Sequence, residues 1–213
     1  EQESFNAPLN VPFEEKLKKQ EAEFRKIGEE IVREHLYSPD LLKHLMLAKT
    51  NLTIPFGMTL AEEMSIDQAI DFIIDGVKIL NEEPNAISGF FIDFVAAIKK
   101  DIFESALDVL KTLDDKRILF GIMGKRSILP QDESFGYLLN LVQSGEVNTD
   151  AFVVYWQHLQ FAAMNENNIV RIFREIEACP QGLLCIFRMA SMFTFGRELA
   201  LYPKLTKYLQ MLM

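Results

Sequence analysis

Cysteine, histidine and tryptophan are scarce in this chain, with two, three and one among 213 residues. Each shortage closes off a class of chemistry. Cys179 and Cys185 stand in CPQGLLC, which is not CxxC, and no second pair exists, so a zinc knuckle is excluded. A disulfide between them requires residues 180–182 to turn the chain back, and two buried free thiols are the expectation. None of His35, His44 and His158 falls in HExxH or in the ExxH pair of helical di-iron sites. The ten glycines mostly mark helix ends. No GxxxxGK[ST], GxGxxG or GxSxG occurs, so no phosphate cradle and no nucleophile elbow is encoded. Basic residues are outnumbered, 22 against 31, for a net charge of −9. Phosphate-directed nucleic-acid binding needs a basic face, so no nucleic acid is expected as partner. No apolar run is long enough for a transmembrane segment, and no stretch alternates strictly enough to predict a sheet.

What is present is apolar helix. Residues 149–164 read TDAFVVYWQHLQFAAM, interrupted only by Gln157, His158 and Gln160. A helix apolar almost all round must be enclosed by others, so this stretch is expected as the central helix of a soluble all-helical domain. Residues 1–12 read as an extended arm, with Pro8 and Pro12. Residues 13–36 form a charged helix with a narrow seam of Phe13, Leu17, Phe24, Ile27 and Ile31, suited to a peripheral helix or a coiled-coil partner. Ser38-Pro39-Asp40 is a cap, a first-turn proline and an early acid. Residues 50–58, TNLTIPFGM, read as a loop because of Pro55 and Gly57, yet an unusually apolar one. Thr59 with Glu62, and Ser65 with Gln68, are capping-box patterns, the second opening an amphipathic helix through Ile66, Ile70, Ile73, Val77 and Leu80. Further helices follow from residues 86, 101, 116 (ended by Gly124), 134 (ended by Gly145), 169, 183 and 197.

The fold class is therefore all-α. It is an irregular array of antiparallel helical hairpins with a rhythm like that of helical repeats, about nine to eleven helices by caps and breakers. Residues 13–213 are expected as one domain.

Charge is uneven. Residues up to Asp115 hold 12 basic and 23 acidic side chains, and those from Lys116 hold 10 and 8. Asp67, Asp71 and Asp75 line one helix face, but a magnesium site would need a facing acidic row, and a solvated face is preferred. Lys116, Arg117, Lys125, Arg126, Arg171 and Arg174 are the material for a modest basic patch, expected to be paired within the chain or solvated. Residues 51–53, Asn-Leu-Thr, fit the N-glycosylation pattern, and the absence of an initial methionine fits a removed leader or a trimmed chain. The compartment is open between export and cytoplasm.

The functional expectation is a non-enzymatic protein-interaction module, an adaptor or scaffold, acting on another protein or on itself. Its docking residues would be Phe13, Leu17, Phe24 and Ile31 on the first helix and Leu52, Ile54 and Phe56 on the apolar loop. The alternative is a carrier for an apolar ligand such as a fatty acyl chain, in a cavity beside Phe152, Trp156 and His158, drawing on 17 phenylalanines and 9 methionines. A third reading, a metal-dependent helical enzyme, would use the Asp67 row. No cofactor and no metal site is expected.

Overall fold

A computed structural model describes residues 13–47, 53–83, 85–86, 88–159, 165–194 and 202–212. The expected arm, residues 1–12, lies outside them. Among the described residues there are twelve helices and no strand: α1 (Phe13–Arg33), α2 (Pro39–Leu47), α3 (Thr53–Glu63), α4 (Ile66–Glu82), α5 (Gly89–Ala97), α6 (Lys100–Leu110), α7 (Lys116–Lys125), α8 (Glu133–Gln143), α9 (Ala151–His158), α10 (Glu166–Glu177), α11 (Gly182–Thr194) and α12 (Pro203–Leu212). The protein is an all-helical array. No described helix is long and apolar enough to cross a membrane.

Local chemistry places many of the boundaries. Pro39 opens α2, and Leu41 N–H donates to Ser38 Oγ at 3.2 Å. The capping box of α4 is complete: Ser65 N–H donates to Gln68 Oε1 at 2.9 Å, and Gln68 N–H donates to Ser65 Oγ at 3.4 Å. Thr59 caps nothing, because it lies inside α3 and is buried. α1 and α7 end in residues of positive φ, His35 at 52° and Ser127 at 53°. Leu36 N–H then reaches Ile31 O at 2.9 Å, and Ile128 N–H reaches Met123 O at 3.0 Å, which are the six-to-one bonds of a Schellman ending.

Three expectations are corrected. Residues 53–58 are not a loop but the first half of α3, which also lifts the helix count above the expected range. Pro55 falls in the first turn, where its missing N–H would have had no intrahelical partner anyway. Gly124 does not end α7, which runs on to Lys125. A Cβ at Gly124 would stand inside contact distance of the Tyr155 carbonyl, so this glycine serves close helix packing. The 149–164 stretch is not one continuous helix: α9 stops at His158, and Leu159 is extended with φ −65° and ψ 131°. The stop comes where Gln157 and His158 interrupt the apolar run.

The chain divides into two compact units. Unit 1 takes Glu1–Gly76 and Asn85–Ser105. In it α3 packs against α1 and α5, and α2 against α5. Gly28 lets α1 approach α3, since a Cβ there would stand 2.8 Å from Thr59 Cγ2. The contact face of α1 therefore centres on Phe24, Gly28 and Ile31, and Ile27, expected in the seam, is 48 % exposed. The core of the unit is aromatic: Phe56 stacks on Phe90 with centroids 6.2 Å apart, and Phe72 lies 4.5 Å from Phe94.

Unit 2 takes Val77–Pro84 and Ala106–Met213. Its enclosed helix is α7, buried at every position from Ile118 to Gly124 and packed on α9 and α8. The burial expected of residues 149–164 thus falls more completely on α7, whose flanking Lys116, Arg117, Lys125 and Arg126 disguise it in the sequence. Phe152 lies 5.0 Å from Phe120 and 5.7 Å from Phe135, and Tyr155 donates from its hydroxyl to Ile128 O at 2.6 Å. α10 packs on both α11 and α12. Cys179 and Cys185 are free and buried. Burial pushes the Cys185 thiol up to about 12, while its Sγ contacts Thr149 O at 3.3 Å.

Candidate interaction surfaces

The residues nominated for docking, Leu52 apart, stand on α1 and α3, which pack together. Phe13 and Leu17 stand on α1 and Ile54 on α3, but their side chains, like the whole of Leu52, lie outside what the structure describes. Phe24 and Ile31 are half-buried. Phe56 is 4 % exposed and stacks on Phe90, so it is part of the core. The cause is the helical state of residues 53–58, which turns one side of an apparent lid into the core.

The residues nominated for an apolar cavity are packed against other rings. Phe152 and Trp156 are buried, and Trp156 lies 5.1 Å from Phe173. His158 is half-buried at the end of α9. Burial holds its pKa below the usual histidine range, and the nearby Lys125 charge acts in the same direction. Asp67 and Asp71 are exposed and Asp75 half-buried. Among the described residues, no three His, Cys, Asp or Glu side chains are gathered to hold a metal ion.

Two surfaces in unit 2 stand out instead. The first is the outer face of α11. Leu183 is 45 % exposed, Leu184 50 %, Phe187 41 % and Met192 41 %. At 100° per residue these four fall on one side of the helix, with Arg188 and Ser191 among them, while Cys185, Ile186, Met189 and Ala190 form the buried side. Arg188 pairs with Asp150, and Thr149 Oγ1 donates to Pro180 O, so α11 is tied to the start of α9. The apolar composition of 183–195 reads in the sequence as burial on all sides. Only the packing of α11 against α9 and α10 reveals that half of it is uncovered.

The second surface is a groove of about 700 Å³ between α10 and α12, lined by Asn167, Val170, Arg171, Arg174, Glu175, Lys204, Lys207, Tyr208 and Met211. Two contacts clamp its walls together. Leu205 N–H donates to Glu166 Oε1 at 2.8 Å, and Tyr208 Oη–H donates to Glu177 Oε2 at 2.6 Å. Burial and the Glu177 carboxylate both push the Tyr208 phenol upward. The six-residue basic patch weighed from the sequence is divided. Arg117 is held by Asp115 at 2.7 Å, and Lys116 Nζ donates to Lys111 O at 2.5 Å. Arg171 and Arg174 are joined instead by Lys204 and Lys207. Lys204 and Lys207 were not part of the patch expected from the sequence, because their meeting with Arg171 and Arg174 depends on α12 packing against α10.

Set beside known proteins, the chain matches no family model, no curated protein and no solved structure. Neither surface inherits a role from a relative.

Proposed function

We propose that this chain is a non-enzymatic protein-interaction module that docks a second apolar helix onto the outer face of α11. The observation that carries this reading is the uncovered row of Leu183, Leu184, Phe187 and Met192. Contiguous apolar surface on a folded chain marks an interaction site more often than isolated apolar residues do. Half of each of these side chains remains in water, so covering them contributes about 1 kcal/mol apiece at roughly 25 cal/mol per Å². Four such side chains on one rigid helix supply an anchor of the kind that dominates helix-in-groove recognition. This moves the docking surface from the first helix, where Phe24 and Ile31 are half-buried, to the other end of the chain.

A second copy of the chain is the first occupant to test. Sedimentation over a concentration series is expected to show association of the native chain. Leu184→Asp with Phe187→Asp should abolish it while circular dichroism shows the helical fold retained, with a modest fall in melting temperature from the half of each side chain that is buried. The same pair should abolish uptake of a synthetic leucine-faced amphipathic helix. A native chain that stays monomeric and takes up this peptide no better than the variant does would remove the reading.

A further inference from the structure

The groove between α10 and α12 carries a different inference, independent of α11. We infer that it is a binding site for an acidic peptide segment bearing apolar side chains. Four cationic side chains line it: Arg171 and Arg174 one turn apart on α10, Lys204 and Lys207 one turn apart on α12. Among the described lining residues Glu175 is the one carboxylate, so that lining carries +3.

Glu166 and Glu177 on α10 keep their charges and lower the local surplus from +3 to +1, but each is directed at a neutral donor and not at a cation. Glu166 accepts from the Leu205 backbone and Glu177 from the Tyr208 hydroxyl. Both contacts fix α12 on α10 and hold the groove open before any ligand arrives. Two of the cations are steered by neutral amides: Lys204 Nζ donates to Asn167 Oδ1 at 2.7 Å, and Arg171 Nη1 to Gln131 Oε1 at 3.4 Å. An amide oxygen orients a cation without cancelling it. Four cations thus line the groove, two of them held by neutral partners.

The groove is also apolar in part. Val170, the Tyr208 ring and Met211 contribute to its wall, and Met211 is 73 % exposed. Methionine is an adaptable apolar contact for a partner side chain. Cations with apolar wall between them fit carboxylates interleaved with apolar side chains. A volume of about 700 Å³ suits a short segment and exceeds what one phosphate group fills. A long polyanion is disfavoured. Nucleic acid or an anionic membrane would extend past the four cations, whereas a short segment meets only the local field within about 8 Å.

Fluorescence anisotropy with a short fluorescein-labelled peptide of glutamate and leucine tests the site on the full chain. Saturable binding is expected, absent when glutamine replaces glutamate in the peptide. Arg174→Glu with Lys207→Glu should weaken it at least tenfold. Lys18→Glu with Lys19→Glu changes the net charge equally on exposed positions of α1 and should leave it within twofold. Circular dichroism melting of both variants should match the native chain, and Arg174→Gln with Lys207→Gln serves as the milder pair if the reversal perturbs folding. Equal weakening by the α1 pair would overturn the proposal, since it would show attraction without a site. So would failure of the peptide alongside binding of phosphatidylserine vesicles, of RNA or of inorganic phosphate alone.

Discussion

Gly124 and Gly136 are both helical glycines in unit 2, and a methyl group added to each meets opposite surroundings. At Gly124 the added carbon would run into the Tyr155 carbonyl, where α7 and α9 lie closest. Backbone cannot swing aside as a flexible side chain can, so the two helices would have to separate. Overpacking of this kind costs about 1–3 kcal/mol, and the gain in helix propensity recovers less than 1 kcal/mol of it. At Gly136 in α8 nothing lies within 4 Å of the added carbon. There the change only reduces the freedom of the unfolded chain and should stabilise by about 0.4–1 kcal/mol. Urea denaturation of Gly124→Ala and Gly136→Ala should therefore give midpoints displaced in opposite directions. Equal displacements would mean that the approach of α7 to Tyr155 is not what holds this part of the core.

At the scale of the helix, α12 depends on α10. Its two ties are the Glu166 carboxylate on the Leu205 backbone and the Tyr208 hydroxyl on Glu177, backed by Tyr208 and Phe173 with ring centroids 6.3 Å apart. Tyr208→Phe removes the second tie and keeps the ring. A hydrogen bond to a charged acceptor contributes about 1.5–3 kcal/mol, and less here because Glu177 is exposed. The loss should appear as faster amide exchange confined to α12, with α7 and α9 unchanged. Acceleration spread over all of unit 2 would mean that α12 does not open separately.

The helices also show what the sequence could convey. Ser65 and Gln68 announced α4 because a capping box is a local hydrogen-bond exchange, complete in four residues. Pro55 and Gly57 hid α3 because their usual meaning as breakers is also local. Its exception lies in tertiary structure: the proline sits in a first turn, and a Cβ on Gly57 would stand 3.1 Å from the Phe90 ring. Composition alone could not distinguish α7, which is enclosed, from α11, which is apolar but half uncovered. Arg171 and Arg174 were visible as a pair on one helix, whereas the groove needed α12 beside them.

Across the whole molecule, charge acts on the fold and on the groove with opposite signs. A net charge of −9 with 23 of the 31 acids in the first 115 residues opposes the compact state through self-repulsion. The ion pairs set against it are exposed, as in Arg25 with Glu62 and Arg33 with Glu34, and each contributes about 1 kcal/mol at most. Raising sodium chloride from about 10 mM to about 100 mM shortens the screening length from about 30 Å to about 10 Å. Repulsion between distant acids is screened more than contact pairs are, so the melting temperature should rise, by roughly 2–4 °C per kcal/mol relieved. The same titration should weaken the acidic peptide in the groove, because its attraction rests on Arg171, Arg174, Lys204 and Lys207 at the surface. One salt series read by thermal melting and by anisotropy thus separates the two effects. A melting temperature that fell with salt would show that the exposed pairs outweigh the acidic excess. Peptide affinity indifferent to salt would place its binding on Val170, Tyr208 and Met211, and would leave the four cations without a role in recognition.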